Sequence, residues 1–284
     1  MGNWERRYTL VDGIETHYIE AGQGHEQTLL LIHGGGLHSC AELNYGAVME
    51  PLSRRVHVIA PDVAGFGRTP GRDPDHLQAP GQGDFLVKFM RALDLKAHVG
   101  GNSHGGWLCQ YLAHEVPERV KSLIIINSLN GTAPVHNYKG HWRAEGEDAH
   151  PGKDAIRESL RQFYIKKDLV TEERVNRTME IGQIAFDFAR KRLEADRGVS
   201  DKLHYRGKHI AEWAPELEMP ILMTWSKENR GSAPEEALPY LYSLGKDQAE
   251  MHIFLNAGHH VQTEHPERWS EIVTNFVLSE SRFG

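Results

Sequence analysis

Short, nearly continuous apolar runs constrain this chain more than any other feature. They read Thr28-Leu-Leu-Leu-Ile32, Val56-His-Val-Ile-Ala60, Ser122-Leu-Ile-Ile-Ile-Asn127 and Pro220-Ile-Leu-Met-Thr-Trp225. A strand with one wet face alternates apolar and polar residues. A run that is apolar throughout has no face to give to water and belongs inside a sheet covered on both sides. Helical patterns separate the runs. One lies over 84–95. Another follows Trp107, where Leu108, Tyr111, Leu112 and Val116 recur near the 3.6-residue period and Pro117 marks the end. Alternating strands and helices predict an α/β fold, a mostly parallel sheet with helices on both faces. An alternating stretch at 6–21 with a Val11-Asp12-Gly13 turn predicts a leading hairpin. A further strand at Glu250–Leu255 and a helix from Glu267 to Ser279 close the pattern.

The rhythm breaks near Gly131. Residues 134–213 are polar, helical and rich in Lys, Arg and Glu. They read as a helical cap inserted into a core made of 1–133 and 214–284; the alternative is an ordinary helical layer of the same domain. A chain of 284 residues has room for one such unit. Its net charge of −7 points away from nucleic acid as a partner. No apolar run approaches the roughly 20 residues of a membrane span. The opening Met1-Gly-Asn-Trp-Glu-Arg-Arg7 lacks an apolar leader, and Cys40 and Cys109 suit a reducing cytoplasm. The 18 histidines fall in no metal-ligand spacing, so no metal is expected; no other cofactor is expected either, since a serine and water suffice for the chemistry read below. The expected partner is a small-molecule substrate. A homo-oligomer stays open.

The chemistry concentrates at Gly101-Asn102-Ser103-His104-Gly105-Gly106, between a strand and a helix. A G-x-S-x-G turn there suits a nucleophile elbow: small neighbours allow a strained turn that lifts the serine hydroxyl into a cleft beside a helix N-terminus. The competing reading is a glycine-rich turn with a capping serine. Beyond the other strands stand His33-Gly34-Gly35-Gly36 and Ala257-Gly258-His259-His260. Open α/β sheets bind ligands beyond the carboxyl ends of their strands. A serine hydroxyl needs a base, and His259 is the natural one. Backbone N–H groups of His104, Gly35 and Gly36 would form an oxyanion hole.

This arrangement resembles the α/β-hydrolase superfamily over essentially the whole chain. Within it the chain is most similar to the meta-cleavage product hydrolases, which cleave carbon–carbon bonds in ring-opened catechols during bacterial aromatic degradation. The resembling stretches are His33-Gly-Gly-Gly36 with Asn44-Tyr45, Asp62-Val-Ala-Gly-Phe-Gly-Arg-Thr69 and the elbow itself. Leu169-Val-Thr-Glu-Glu-Arg-Val-Asn-Arg177, Gly258-His259 and Glu264-His-Pro266 complete the set. The resemblance implies that Asn44, Asn102 and Arg177 contact a dienoate substrate. Arg177 has the planar fork that binds carboxylates.

The departures are informative. The family's acid follows the strand at 220–225, where this chain has Trp225-Ser-Lys-Glu228-Asn229. Asn229 occupies the acid's place, and the alternative position after the preceding strand is Asn127. An amide can hold the histidine's tautomer but supplies no charge. Glu228 would reach His259 if the loop bent. His260 stands where the family commonly carries Trp and His104 where Met is usual; with His38 they predict a more polar pocket. Other readings are a carboxylic (methyl) ester hydrolase acting on a ring-opened substrate, a cofactor-free dioxygenase and a non-catalytic binding protein of this fold.

Overall fold

The computed structural model describes residues 4–36, 38–72, 74–128, 152–196, 204–206, 208–229, 233–245 and 249–279. The sheet strands are β1 (Glu5–Val11), β2 (Ile14–Ala21), β3 (Thr28–Ile32), β4 (His57–Pro61), β5 (Ala97–Asn102), β6 (Val120–Ile126), β9 (Ile221–Ser226) and β10 (Ala249–Phe254), with a separate short pair β7 (His204–Tyr205) and β8 (Lys208–His209) between. The helices are α1 (Ala41–Ser53), α2 (Ala79–Ala92), α3 (His104–Glu115), α4 (Lys153–Phe163), α5 (Glu172–Ile184), α6 (Phe186–Asp196), α7 (Pro234–Ser243), α8 (Val261–Glu264) and α9 (Pro266–Leu278).

The strands form one 8-stranded sheet in the order β1-β2-β4-β3-β5-β6-β9-β10. The leading hairpin is antiparallel, β2 meets β4 antiparallel, and every pairing from β4 through β10 is parallel. The apolar runs do what their composition predicts. Leu30 and Ile32 face one core with α2, α3 and α7, while Leu29 and Leu31 face the other with α1 and α9. Each fully buried leucine contributes about 1.5–3 kcal/mol of transfer free energy. The strands at the centre of the sheet, β3 and β5, therefore sit in a dry interior, and their carboxyl ends carry the glycine loop and the elbow.

Three helices differ from the sequence pattern. α2 starts at Ala79 rather than 84, because Pro80 suits a helix's first turn. α1 buries Ala41, Asn44, Tyr45, Val48, Met49 and Leu52, a helical spacing that Gly46 and Pro51 obscure. α7 carries Pro239 internally, which hides it in the same way. Between β6 and β9, helices α4, α5 and α6 stand where the inserted cap is expected; residues 129–151, 197–203 and 207 of that stretch lie outside the described residues. α4 packs against α5, and Phe188 of α6 lies over Gly65 and Gly71 of the core, where a side chain would collide with its ring. Among the described residues no helix is long and apolar enough to cross a membrane.

Candidate active site

Ser103 sits between β5 and α3 with φ 55° and ψ −121°, a left-handed conformation that a side chain adopts only under strain. The neighbouring glycines make the turn possible. A Cβ on Gly101 would meet the Gly105 carbonyl and Cys109 Sγ; a Cβ on Gly105 would meet the carbonyls of Ile32 and His33. Ser103 occupies the cap position of α3 yet makes no side-chain cap bond, so the capping-serine reading fails. Its backbone is pinned from both sides: Ser103 N–H donates to Ile126 O (3.0 Å), and Ser128 Oγ donates to Ser103 O (2.7 Å).

The glycine loop after β3 lies against this turn. The Cβ direction of Gly34 faces Ser103 Cβ, and that of Gly35 faces the His104 ring. Gly34 N–H is taken by Asn44 Oδ1 (3.2 Å), which places Asn44 as a support of the loop. Gly36 turns away toward Ser39, whose N–H bonds its carbonyl at 3.0 Å. Of the two loop glycines expected at the oxyanion position, Gly35 is the one beside the elbow. His33 holds the loop: its Nε2 accepts from Val63 N–H (3.0 Å), so its Nδ1–H donates to Gly34 O (2.7 Å). His104 opens α3, where first-turn N–H groups have no intrahelical acceptor. Its ring stacks parallel to Trp107 and its Nε2–H donates to Gln82 Oε1 (2.6 Å).

His259 follows β10. Its Nδ1–H donates to Asn229 Oδ1 at 3.0 Å, because an amide oxygen can only accept. This fixes the tautomer that leaves the Nε2 lone pair as base. Burial alone pushes the His259 imidazole down to about 4. No carboxylate contributes to that shift, as expected beside an amide. Glu228 does not bend to the ring; its Oε2 accepts the Ala257 N–H (3.3 Å) and braces the loop. Asn127 ties β6, β9 and the histidine loop together, donating to Ser226 Oγ, Gly258 O and His259 O and accepting Ser226 N–H. Asn102, fully buried next to Ser103, donates to Ile126 O and His259 O, both at 3.1 Å, so one amide links the elbow strand to the histidine loop. Ser103 and His259 make no hydrogen bond with each other here; such contacts tighten when substrate arrives.

The remaining expected contacts separate. The His260 ring lies among Phe163, Tyr164 and His259, at 5.7, 5.4 and 5.2 Å between centroids. Burial, then the charge field of His259 and Arg174, holds it well below the usual imidazole range. Arg177 ion-pairs with Glu42 of α1 at 2.7 Å and Glu180 at 2.5 Å, bridging α5 to the core, while its buried Nη2 makes no hydrogen bond among the described residues. The arginine on the histidine side is Arg174, which sequence reasoning passed over. It donates to Tyr164 Oη (2.9 Å) and lies over that ring. Among the described residues no three metal-ligating side chains converge.

Comparison with known proteins finds the same fold. A family model described as the alpha/beta hydrolase fold matches residues 27–266. A 2-hydroxy-6-oxononadienedioate/2-hydroxy-6-oxononatrienedioate hydrolase from Paraburkholderia xenovorans is 26% identical over 93% of this chain and 91% of its own. A 2-hydroxy-6-oxo-6-phenylhexa-2,4-dienoate hydrolase from Burkholderia cepacia is 25% identical over 93% and 91%. Among solved structures, a 2-hydroxy-6-oxo-6-phenylhexa-2,4-dienoate hydrolase from a Rhodococcus strain superposes with a TM-score of 0.83 at 20% identity, covering 97% of this chain and 99% of the other. A meta-cleavage product hydrolase from Pseudomonas fluorescens gives 0.79 at 24%, covering 95% and 96%. With the family model spanning most of its length and its serine elbow in place, this chain belongs to the alpha/beta hydrolase fold family.

Proposed function

We propose that this protein hydrolyses the carbon–carbon bond beside the ketone of a 2-hydroxy-6-oxo-dienoate, a ring-opened aromatic. The relatives' names support that substrate class. The observation that carries the reading is the convergence, at the carboxyl ends of β3, β5 and β10, of the Gly35 loop, the strained Ser103 and the neutral His259–Asn229 pair.

The chemistry follows from those parts. Moving the substrate's 2-hydroxyl proton to the chain carbon next to the 6-oxo group gives a keto tautomer. Its new C=O is an electron sink for the bond to be broken. Nε2 of His259 takes the Ser103 hydroxyl proton as Oγ adds to the 6-oxo carbon. The N–H groups of Gly35 and His104 hold the oxyanion. The carbon–carbon bond breaks, its electron pair runs through the conjugated chain to the 2-oxygen, that oxygen takes the proton from His259 as the hydroxydienoate leaves, and water then releases the acyl group as a carboxylic acid. The balance is substrate plus one water giving a carboxylic acid and a hydroxydienoate. Because the electron sink lies in the substrate, the base needs less help, and an amide partner suffices. Arg174, which lies over Tyr164 and near His260, is the cation this reading assigns to the substrate carboxylate.

The test is turnover of a synthetic 2-hydroxy-6-oxo-6-phenylhexa-2,4-dienoate, followed by loss of the dienolate absorbance and by mass spectrometry of products. Benzoate plus a hydroxypentadienoate supports the reading. An inert dienoate beside rapid hydrolysis of its methyl ester would replace it with the esterase.

A further inference from the structure

We infer that Glu264 is a positioning residue that makes the placement of the catalytic-histidine loop and of the chain leaving α4 a single degree of freedom. Glu264 is buried, at 3% exposure, and both its oxygens accept, the pattern of a carboxylate. One oxygen takes the Gly258 N–H at 2.5 Å, immediately before His259. The other takes the N–H groups of Ile165 and Lys166, both at 2.8 Å. These segments are about a hundred residues apart in sequence and share no strand or helix, so the carboxylate is their common hub.

Two further bonds run across the same seam. His259 N–H donates to Phe163 O (2.8 Å), and Lys166 Nζ donates to Glu264 O (2.5 Å). A side chain at Gly258 would collide with the Phe163 carbonyl, so the two backbones are in direct contact. The base is thus held by α4's exit as well as by its own strand. Any movement of α4 toward or away from a ligand moves the imidazole with it. Nothing in the direct contacts of Ser103 or substrate requires Glu264; it acts through His259. The inference rests on His259 being the base of the proposed reaction.

The experiment uses the full chain with Glu264→Gln, which keeps size but turns one acceptor into a donor facing N–H groups. Hydrogen exchange followed by mass spectrometry is read over 163–166 and 257–259, and kcat and KM are measured with the phenyl dienoate and with p-nitrophenyl acetate. The expected result is faster exchange in both segments together, kcat lower by about 10- to 100-fold on both substrates, and KM within about twofold, because misplacing a base costs rate rather than affinity. Faster exchange in one segment only, or a change confined to KM, overturns the proposal. If Glu264→Gln does not fold, Lys166→Ala removes one strand of the same seam and is expected to loosen both segments in parallel; loosening of 163–166 alone overturns it. A wild-type protein inert to both substrates would defeat the proposed function, and the paired exchange would still decide the coupling.

Discussion

His259 donates its Nδ1–H to the side-chain oxygen of Asn229 across 3.0 Å, so the imidazole proposed as base is oriented by an amide. An amide sets the tautomer but cannot stabilise the imidazolium that forms when serine loses its proton. Asn229→Asp is therefore expected to raise kcat/KM for p-nitrophenyl acetate by about tenfold or more, since a simple ester brings no electron sink of its own. Asn229→Ala is expected to lower it by about tenfold, and Glu228→Gln, whose carboxylate braces Ala257, to change it by less than about threefold. Steady-state kinetics of the three variants checks the order. A larger loss at Glu228 than at Asn229 would reassign the partner of the base.

The pH dependence follows from the burial of His259. Its imidazole is pushed from an ordinary 6.5 to about 4, so Nε2 is already unprotonated through the mildly acidic range. The acid limb of kcat/KM is expected near pH 4 instead of near 6.5. Stability moves with the same group. Between the two values the unfolded chain binds the proton and the folded chain does not, so stability rises with pH there. The contribution is complete above about 6.5 and is lost as pH falls toward 4. His98, also depressed to about 4 by burial and then by Lys121, adds in the same direction. Urea unfolding at pH 7 and pH 5 is expected to give a lower midpoint at pH 5, with a smaller drop in His98→Gln.

Arg177 pairs with Glu42 of α1, whereas Arg174 lies over Tyr164 beside the histidine loop. Arg177 bridges α5 to Glu42 of α1, so Arg177→Met is expected to cost about 1 kcal/mol or less of stability and to leave the ratio of KM values for dienoate and neutral ester unchanged. Arg174→Met is expected to raise KM for the dienoate selectively, by about tenfold, since a charged hydrogen bond is worth roughly 1.5–3 kcal/mol. Parallel KM measurements on the two substrates decide it.

The elbow's glycines act by space. Gly105→Ala would drive a methyl into the carbonyls of Ile32 and His33, at the root of the oxyanion loop. The expected cost is about 1–3 kcal/mol of stability together with loss of turnover. Thermal unfolding and the ester assay on the same sample measure both.

What the sequence revealed was what local chemistry writes into it. Leu29 to Ile32 are apolar on both faces and became a central strand; Ser103 among glycines became a strained turn. Gly258-His259 marked in the same way the loop whose imidazole donates to Asn229. What it hid was the direction of side chains whose partners lie far along the chain. Arg177 carries the right fork for a carboxylate, and only the fold shows that its Nε already donates to Glu42, 135 residues away. Glu228 and Asn229 are adjacent, and the loop's geometry alone decides which faces His259. Glu264 was visible as part of a motif, but its role depends on Ile165 and Lys166, which no spacing rule connects to it. The helix α1 was not read from the sequence, because its internal Gly46 and Pro51 masked the period of Ala41, Asn44, Tyr45, Val48, Met49 and Leu52.

The central claim is that Ser103 is a nucleophile activated by His259. Intact mass after exposure to a fluorophosphonate tests it most directly. The account predicts one adduct on the wild-type chain, none on Ser103→Ala, and labelling slowed by about a hundredfold or more in His259→Ala. An adduct that persists in Ser103→Ala, or a folded wild-type chain that takes up none, would contradict it.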